Sequence, residues 1–328
     1  MNQDDPAPLV LQTEELDDIC ADFLREKCDF RVVSFDAPEF DELLPRAHGL
    51  VVRTYTTIDR DLLDRAPNLK VVGRAGVALD NFDLPACAQK GVRVVHTPDA
   101  NTSAVVELVT AFMLDAVRPR VFLDSALRFE DWKDLRAELK AERQLREMTL
   151  GILGLGRIGR GVAKVGAALG MRVLYADLLE MDEASRSGAA AVGVEALFGE
   201  SDIVSVHIDP RPSNRRYVAG GLLGRLPRGA VLINTSRGLV VDPLAVAAWL
   251  RDDGSVQAIV DVHEPEPVEA NDPLLGLENA HLSPHIGAAT AMAHRNMSWV
   301  VRDVWRVLAG EEPEFEADYG ERYAAPAR

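Results

Sequence analysis

The stretch Met148–Asp177 constrains the fold more than any other part of this chain, because it spells out a complete βαβ unit. Leu150–Leu153 is an apolar run of strand length, and Gly154-Leu155-Gly156-Arg157-Ile158-Gly159 supplies a G-x-G-x-x-G turn. Ile158, Val162, Val165 and Leu169 then recur at helical spacing, Met171–Ala176 is a second apolar run, and Asp177 follows it. In such a unit the first glycine permits the tight turn, the second lets backbone approach a pyrophosphate, and the third lets helix pack closely on strand. The helix N-terminus presents unpaired N–H groups to the phosphates. Asp177 stands about 20 positions beyond Gly156, where a carboxylate can accept hydrogen bonds from a ribose. The first basic residue after it is Arg186, so NAD is expected over NADP.

At 328 residues the chain has room for two domains. A net charge of −16 argues against a nucleic-acid partner, since the phosphate backbone would be repelled at long range. Cys20, Cys28 and Cys87 form no C-x-x-C and read as inert thiols in a reducing compartment. The acidic start MNQDDPAP predicts no signal peptide, and the absence of a long apolar run predicts no membrane span. A cytoplasmic protein is expected.

Short apolar runs and amphipathic stretches alternate over residues 8–97: Leu9–Leu11, Arg31–Phe35, Leu50–Arg53, Lys70–Arg74 and Val92–His96, with helices near Glu14–Lys27, Asp59–Arg65 and Leu84–Lys90. This predicts a second parallel α/β sheet, one without a glycine fingerprint. A helix is expected from Asn101, with Val105, Leu108, Phe112 and Met113 on one face, ended or kinked at Pro119. The charged stretch 131–147 reads either as a solvated connector or as an arm packing on a second subunit. The cofactor set continues through Ile203–His207, Ala230–Asn234, Val256–Val260 and Ala280–Ser283, with helices near Gly220–Leu226 and Pro243–Arg251. Ala288–Leu308 reads as one long helix, and the acidic tail from Glu311 as draped or disordered.

Three loops leave strand ends of the second set, where open α/β sheets bind ligands. In Asn234-Thr235-Ser236-Arg237-Gly238, Arg237 offers a planar, permanently charged fork for a carboxylate, or simply caps a strand on the surface. In Asp261-Val262-His263-Glu264-Pro265-Glu266-Pro267, chemistry alone leaves Glu264 and Glu266 equally eligible. In Ser283-Pro284-His285-Ile286-Gly287-Ala288, His285 is a candidate proton carrier. Pro284 breaks helical geometry between His281 and His285, so no metal site is expected.

VVGRAG, LDN, GILGLGRIG, NTSRG, DVHEPEP and SPHIGA, in this order over roughly residues 45–310, resemble the D-isomer-specific 2-hydroxyacid dehydrogenases, particularly the phosphoglycerate dehydrogenase branch. The resemblance implies an α/β fold of two Rossmann-like or flavodoxin-like doubly wound parallel-sheet domains with a cleft between them. Residues 1–98 plus 289–328 would form the substrate-binding domain and 99–288 the inserted NAD domain. Two subunits would pair through the latter. It selects Arg237, Glu266 and His285 as the catalytic set.

Cofactor contacts are implied at Gly154, Gly156, Arg157, Ile158, Gly159, Asp177, His207, Ile208, Thr235, Ser236, Asp261, Gly287 and Ala288. Substrate contacts are implied at Arg53, Arg74, Gly76, Val77 and Ala78. The implied reaction is reversible hydride transfer between NAD(H) and C2 of a D-2-hydroxy or 2-keto acid. Two arginines favour 3-phosphoglycerate and phosphohydroxypyruvate, with a glyoxylate or hydroxypyruvate reductase, or a non-catalytic NAD(H)-sensing protein of the same fold, as alternatives. The chain departs from the family pattern at Ala78, at Asp209 in His207-Ile208-Asp209-Pro210, at His263 in place of an aromatic, and in lacking the common glycine before Thr149.

Overall fold

The structure, a computed structural model, describes residues 7–118 and 120–318. Pro119, the first six residues with their bearing on a signal peptide, and the tail beyond 318 lie outside the described residues. The chain divides into two compact units, one formed by the residues up to Asn101 together with those from Ala288 onward, the other by Thr102–Gly287.

In the first unit, β1 (Leu9–Gln12), β2 (Asp29–Val32), β3 (Gly49–Val52), β4 (Val71–Arg74) and β5 (Arg93–His96) form a parallel sheet in the order β2-β1-β3-β4-β5. β1, β3 and β4 are buried along their whole length, as apolar parallel strands covered on both faces must be. Three of its helices begin on aspartates, Asp17, Asp59 and Asp83, whose side chains accept N–H bonds in the first turn. A short helix at Pro38–Leu43, absent from the sequence reading, places Phe40 in the core beside Leu44 and Leu50.

The helix expected over Ala288–Leu308 is in fact two, Ala291–Ser298 and Val301–Ala309. Ser298 Oγ bonds back to the His294 carbonyl at 2.8 Å, which bends a helix, and i→i+3 bonds tighten the turn at Trp299 and Val300. The tail read as draped or disordered is ordered through Asp318. Glu316 bridges Val95 antiparallel, Ala317 N–H donates to the Val94 carbonyl, and Arg93 pairs with Glu312 and Glu316.

The second unit carries β6 (Thr149–Leu153), β7 (Arg172–Ala176), β8 (Ala190–Ala191), β9 (Ile203–Val206), β10 (Val231–Asn234), β11 (Gln257–Val260) and β12 (Ala280–Leu282). They form one parallel sheet, β12-β11-β10-β9-β6-β7-β8. The helix Arg157–Ala168 buries Val162 and Ala163, whereas Leu169, expected on the same stripe, is an exposed C-cap. The helix Thr102–Val117 buries Ala104, Val105, Val109 and Met113, and its expected core residues Leu108 and Phe112 are only half-buried. A helix the sequence reading missed, Val194–Glu200, covers β6 and β7 with Leu197 and Phe198. The charged stretch forms a helix at Phe129–Glu138 with no buried residue.

All three cysteines are buried and free, and burial pushes each thiol up to about 11, which leaves them unreactive. Among the described residues no helix is long and apolar enough to cross a membrane, and no group of His, Cys, Asp and Glu is placed to hold a metal.

Candidate active site

Strand order in the second unit reverses between β6 and β9, and the glycine turn leaves β6 at that point. Gly154 has φ +94°, a conformation side-chain-bearing residues rarely adopt, and it lies against the His207 carbonyl that follows β9. A methyl group on Gly159 would overlap the Gly154 carbonyl, so helix and strand meet as closely as main chain allows. Gly156, by contrast, faces open space and is the N-cap of a helix with no side-chain cap. Arg157 is exposed on the first turn and Ile158 is half-buried. An uncapped helix N-terminus of this kind suits an anion.

Asp177 accepts N–H bonds from Leu155 at 2.6 Å and Leu179 at 2.8 Å, one on each oxygen. It is exposed, and each oxygen keeps a lone pair for a hydroxyl donor. Just past β9, on the other side of β6, His207 Nε2 bonds Ser205 Oγ at 2.8 Å, while burial lowers the ring to about 4 and keeps it neutral. His207 Nδ1 and Thr235 Oγ1, at the ends of neighbouring strands, are buried polar atoms with no hydrogen-bond partner among the described residues. Ile208 packs against Gly154. Orphaned polar atoms, an uncapped helix and a ribose-height carboxylate at one switch point fit a bound dinucleotide. The Asp209 carboxylate is tied to Arg211 and to Asn214 Nδ2.

The loops after β10, β11 and β12 form one hydrogen-bonded assembly. His285 Nδ1 lies 2.7 Å from Glu266 Oε2, and Glu266 Oε1 accepts the His263 N–H at 2.9 Å. His263 Nε2 in turn bonds the Ser283 carbonyl at 2.8 Å. Burial alone would raise the Glu266 carboxyl, but the bonds from His285 and the His263 main chain outweigh it and hold the group below its usual range. His285 adopts φ +54°, and its Nε2 has no protein partner among the described residues. Glu264 faces elsewhere, pairing with Arg215 at 2.7 Å. The choice between the two glutamates is thus made by tertiary contact.

Arg237 follows a turn in which Asn234 Oδ1 accepts from Ser236 N–H and Oγ, and Asn234 Nδ2 donates to the Arg237 carbonyl. Its guanidinium Nη1 donates to the Ser236 carbonyl at 2.7 Å. The next residue, Gly238, sits so close to the His263 carbonyl that any side chain would overlap it, which locks the Arg237 loop onto the Glu266 loop.

Asp261, expected as a cofactor contact, is buried. Its carboxylate accepts Ser283 Oγ–H at 2.6 Å and the N–H groups of Ile286 at 2.9 Å and Gly287 at 2.8 Å, bracing the turn that carries His285. Asn234, His263 and Ser283 are supporting residues that the sequence reading did not single out for a role. Ala288 is half-buried, and its carbonyl accepts the Thr290 N–H.

In the first unit, the Arg74 guanidinium is buried over Gly76, and Arg53 Nη1 donates to the Glu15 carbonyl at 3.3 Å. Gly76 is held by Thr97, whose N–H donates to its carbonyl. The N–H groups of Val77 and Ala78 have no protein acceptor among the described residues, and both residues are half-exposed.

A dinucleotide cradle at a Rossmann switch point, with an imidazole–carboxylate pair and a guanidinium on adjacent loops of the same sheet, defines an NAD-dependent oxidoreductase of hydroxy acids. Comparison with known proteins agrees. Residues 110–287 match the model of the D-isomer specific 2-hydroxyacid dehydrogenase, NAD binding domain. The chain is 33% identical to the glyoxylate reductase of Aeropyrum pernix over 305 residues, 90% of this chain and 91% of that protein. It is 32% identical to the D-3-phosphoglycerate dehydrogenase of Archaeoglobus fulgidus across 90% of this chain, but spans only 56% of that protein's length. The crystal structure of the TT0316 protein from Thermus thermophilus superposes with a TM-score of 0.81 at 34% identity, covering 94% of this chain and 100% of that one. The chain belongs to the D-isomer-specific 2-hydroxyacid dehydrogenase family.

Proposed function

We propose that this chain interconverts a D-2-hydroxy acid and its 2-keto acid with His285 as the proton carrier. Bound NAD(H) supplies or accepts the hydride at C2. The observation that carries the assignment is the 2.7 Å bond between His285 Nδ1 and Glu266, which leaves Nε2 as the ring nitrogen without a hydrogen-bond partner among the described residues. Nε2 gives its proton to the carbonyl oxygen in reduction and takes the hydroxyl proton in oxidation. Glu266 orients the ring and balances its charge. Arg237 holds the carboxylate and polarises the carbonyl.

Two kinds of acid suit this reading. Arg53 and Arg74 would serve phosphohydroxypyruvate and 3-phosphoglycerate as partners for a phosphate. The burial of Arg74 over Gly76 favours unphosphorylated hydroxypyruvate or glyoxylate. We also propose a homodimer through the second unit, whose segment at 121–132 exposes Phe122 (86%) and Phe129 (75%) to solvent. Sedimentation equilibrium reads it directly: a dimer is expected, and a monomer at micromolar concentration refutes the pairing.

The reaction is tested by following NADH at 340 nm with a panel of 2-keto acids. His285→Gln is expected to lose about 10²–10⁴-fold in kcat while still binding NADH. Undiminished turnover in that variant removes His285 from the chemistry.

A further inference from the structure

We propose that His263 is a positioning residue for the reaction: its ring donates to the Ser283 carbonyl, the same acceptor that fixes the His285 backbone, and so holds the imidazole of His285 on Glu266. The inference rests on the reading of His285 as the proton carrier and deepens it by naming what presents that ring.

Three loops carry the site, and His263 meets each of them. Its main-chain N–H donates to Glu266 Oε1 at 2.9 Å, on the carboxylate whose other oxygen lies 2.7 Å from His285 Nδ1. Its ring Nε2 lies 2.8 Å from the Ser283 carbonyl oxygen. Its own carbonyl is packed against Gly238, the residue after Arg237. The Ser283 carbonyl also accepts the His285 N–H at 3.0 Å, closing a three-residue turn in which His285 takes φ +54°. A circuit of hydrogen bonds therefore runs from the His285 ring through Glu266, the His263 amide and the His263 ring to Ser283, and returns to His285 through its own N–H.

A carbonyl oxygen can only accept, so the bond fixes His263 Nε2 as a protonated nitrogen. The neutral ring meets that condition as well as the charged one, and the tie needs no charge on His263. The other charged groups of these two loops are engaged. The Asp261 carboxylate accepts Ser283 Oγ–H and the amides of Ile286 and Gly287, and Glu264 pairs with Arg215. Asp261 thus braces the turn through the Ser283 hydroxyl and the amides beyond His285, while His263 holds it through the carbonyl before His285. A residue with a side chain persists in left-handed backbone only where its surroundings over-determine it, and the half-buried His263 ring supplies one of those constraints.

The test compares His263→Phe, which keeps a planar ring and loses the donor, with His263→Gln, which loses the ring and keeps an N–H donor of similar reach. NADH consumption is followed at 340 nm across pH with the 2-keto acid that the wild type reduces fastest. The low-field proton signal of the His285 Nδ1–H, assigned by its loss in His285→Gln, is followed by NMR. His263→Phe is expected to lose about ten- to a hundredfold in kcat with NADH affinity unchanged, and to broaden or lose the low-field signal. Its rate of reduction should also fall off at a pH about half a unit or more below that of the wild type, because a loosened carboxylate stabilises the imidazolium less. His263→Gln is expected to recover most of the turnover, the signal and the pH profile. Wild-type turnover and signal in His263→Phe overturn the proposal, as does a His263→Gln variant that fails as badly as His263→Phe. A fall-off displaced to higher pH in both variants overturns it too, since His263 would then act as a neighbouring positive charge and not as a donor. A wild type that reduces no acid of the panel, with the NMR signal responding as stated, refutes the proton-carrier reading and leaves the hold on the His285 ring standing.

Discussion

Replacing Asp261 by alanine removes the acceptor for three donors at once: Ser283 Oγ–H, Ile286 N–H and Gly287 N–H. Hydrogen bonds to an ionised acceptor contribute about 1.5–3 kcal/mol each, and a buried donor left alone costs about 1–3 kcal/mol. The three positions do not count equally. Gly287 is buried and keeps no route to water, whereas Ile286 is 40% exposed and its N–H can be rehydrated, and the Ser283 hydroxyl can turn. The expected loss is therefore about 3 kcal/mol, not the sum of three full bonds. Asp261→Asn, which retains one carbonyl oxygen for part of the set, should lose about half as much. His285 is immediately before the two released amides and sits at φ +54°, so its alignment with Glu266 depends on the brace. Turnover should fall further than NADH affinity. Urea unfolding followed by circular dichroism measures the first quantity, and hydrogen exchange at the Ile286 and Gly287 amides shows whether the loss is local. If Asp261→Ala stays within about 1 kcal/mol of wild type with those amides still protected, the brace argument fails.

Two glycines of one motif should separate stability from binding. Gly159→Ala forces a methyl onto the Gly154 carbonyl and should cost about 1–3 kcal/mol in a denaturant titration, while Gly156→Ala, whose methyl meets nothing in the protein, should leave the titration unchanged and weaken NADH binding by about tenfold or more. Glu266 is held below its usual 4.5, so its contribution to stability is full above that value and is lost as pH falls through the lower folded value. The stability gap between wild type and Glu266→Gln should accordingly be flat at neutral pH and close below about pH 4.5, and a gap that widens on acidification would reverse the sign of the reasoning.

Sequence by itself determined what is local. The turn at Gly154–Gly159 and the buried strands are legible because backbone conformation and periodicity are properties of a few neighbouring residues. So is the presence of a charged fork and an imidazole on loops at strand ends. Tertiary structure decided which of these groups meet. Glu264 and Glu266 are each followed by a proline, and only the approach of the β12 loop gives Glu266 to His285 and leaves Glu264 to Arg215. The break after Ser298 depends on a single hydroxyl bond inside an otherwise helical run. Tail residues 311–318 are ordered by pairing with β5, a partner over two hundred positions earlier in the chain. Glu14, whose carboxylate accepts the main-chain N–H groups of residues 53–56, carries no local signal of that role, since those donors lie 39–42 positions away and converge on it only after β1 and β3 have paired. Short-range conformational preference can be read along a chain, whereas the partner of a charge is set by which strand ends the sheet brings side by side.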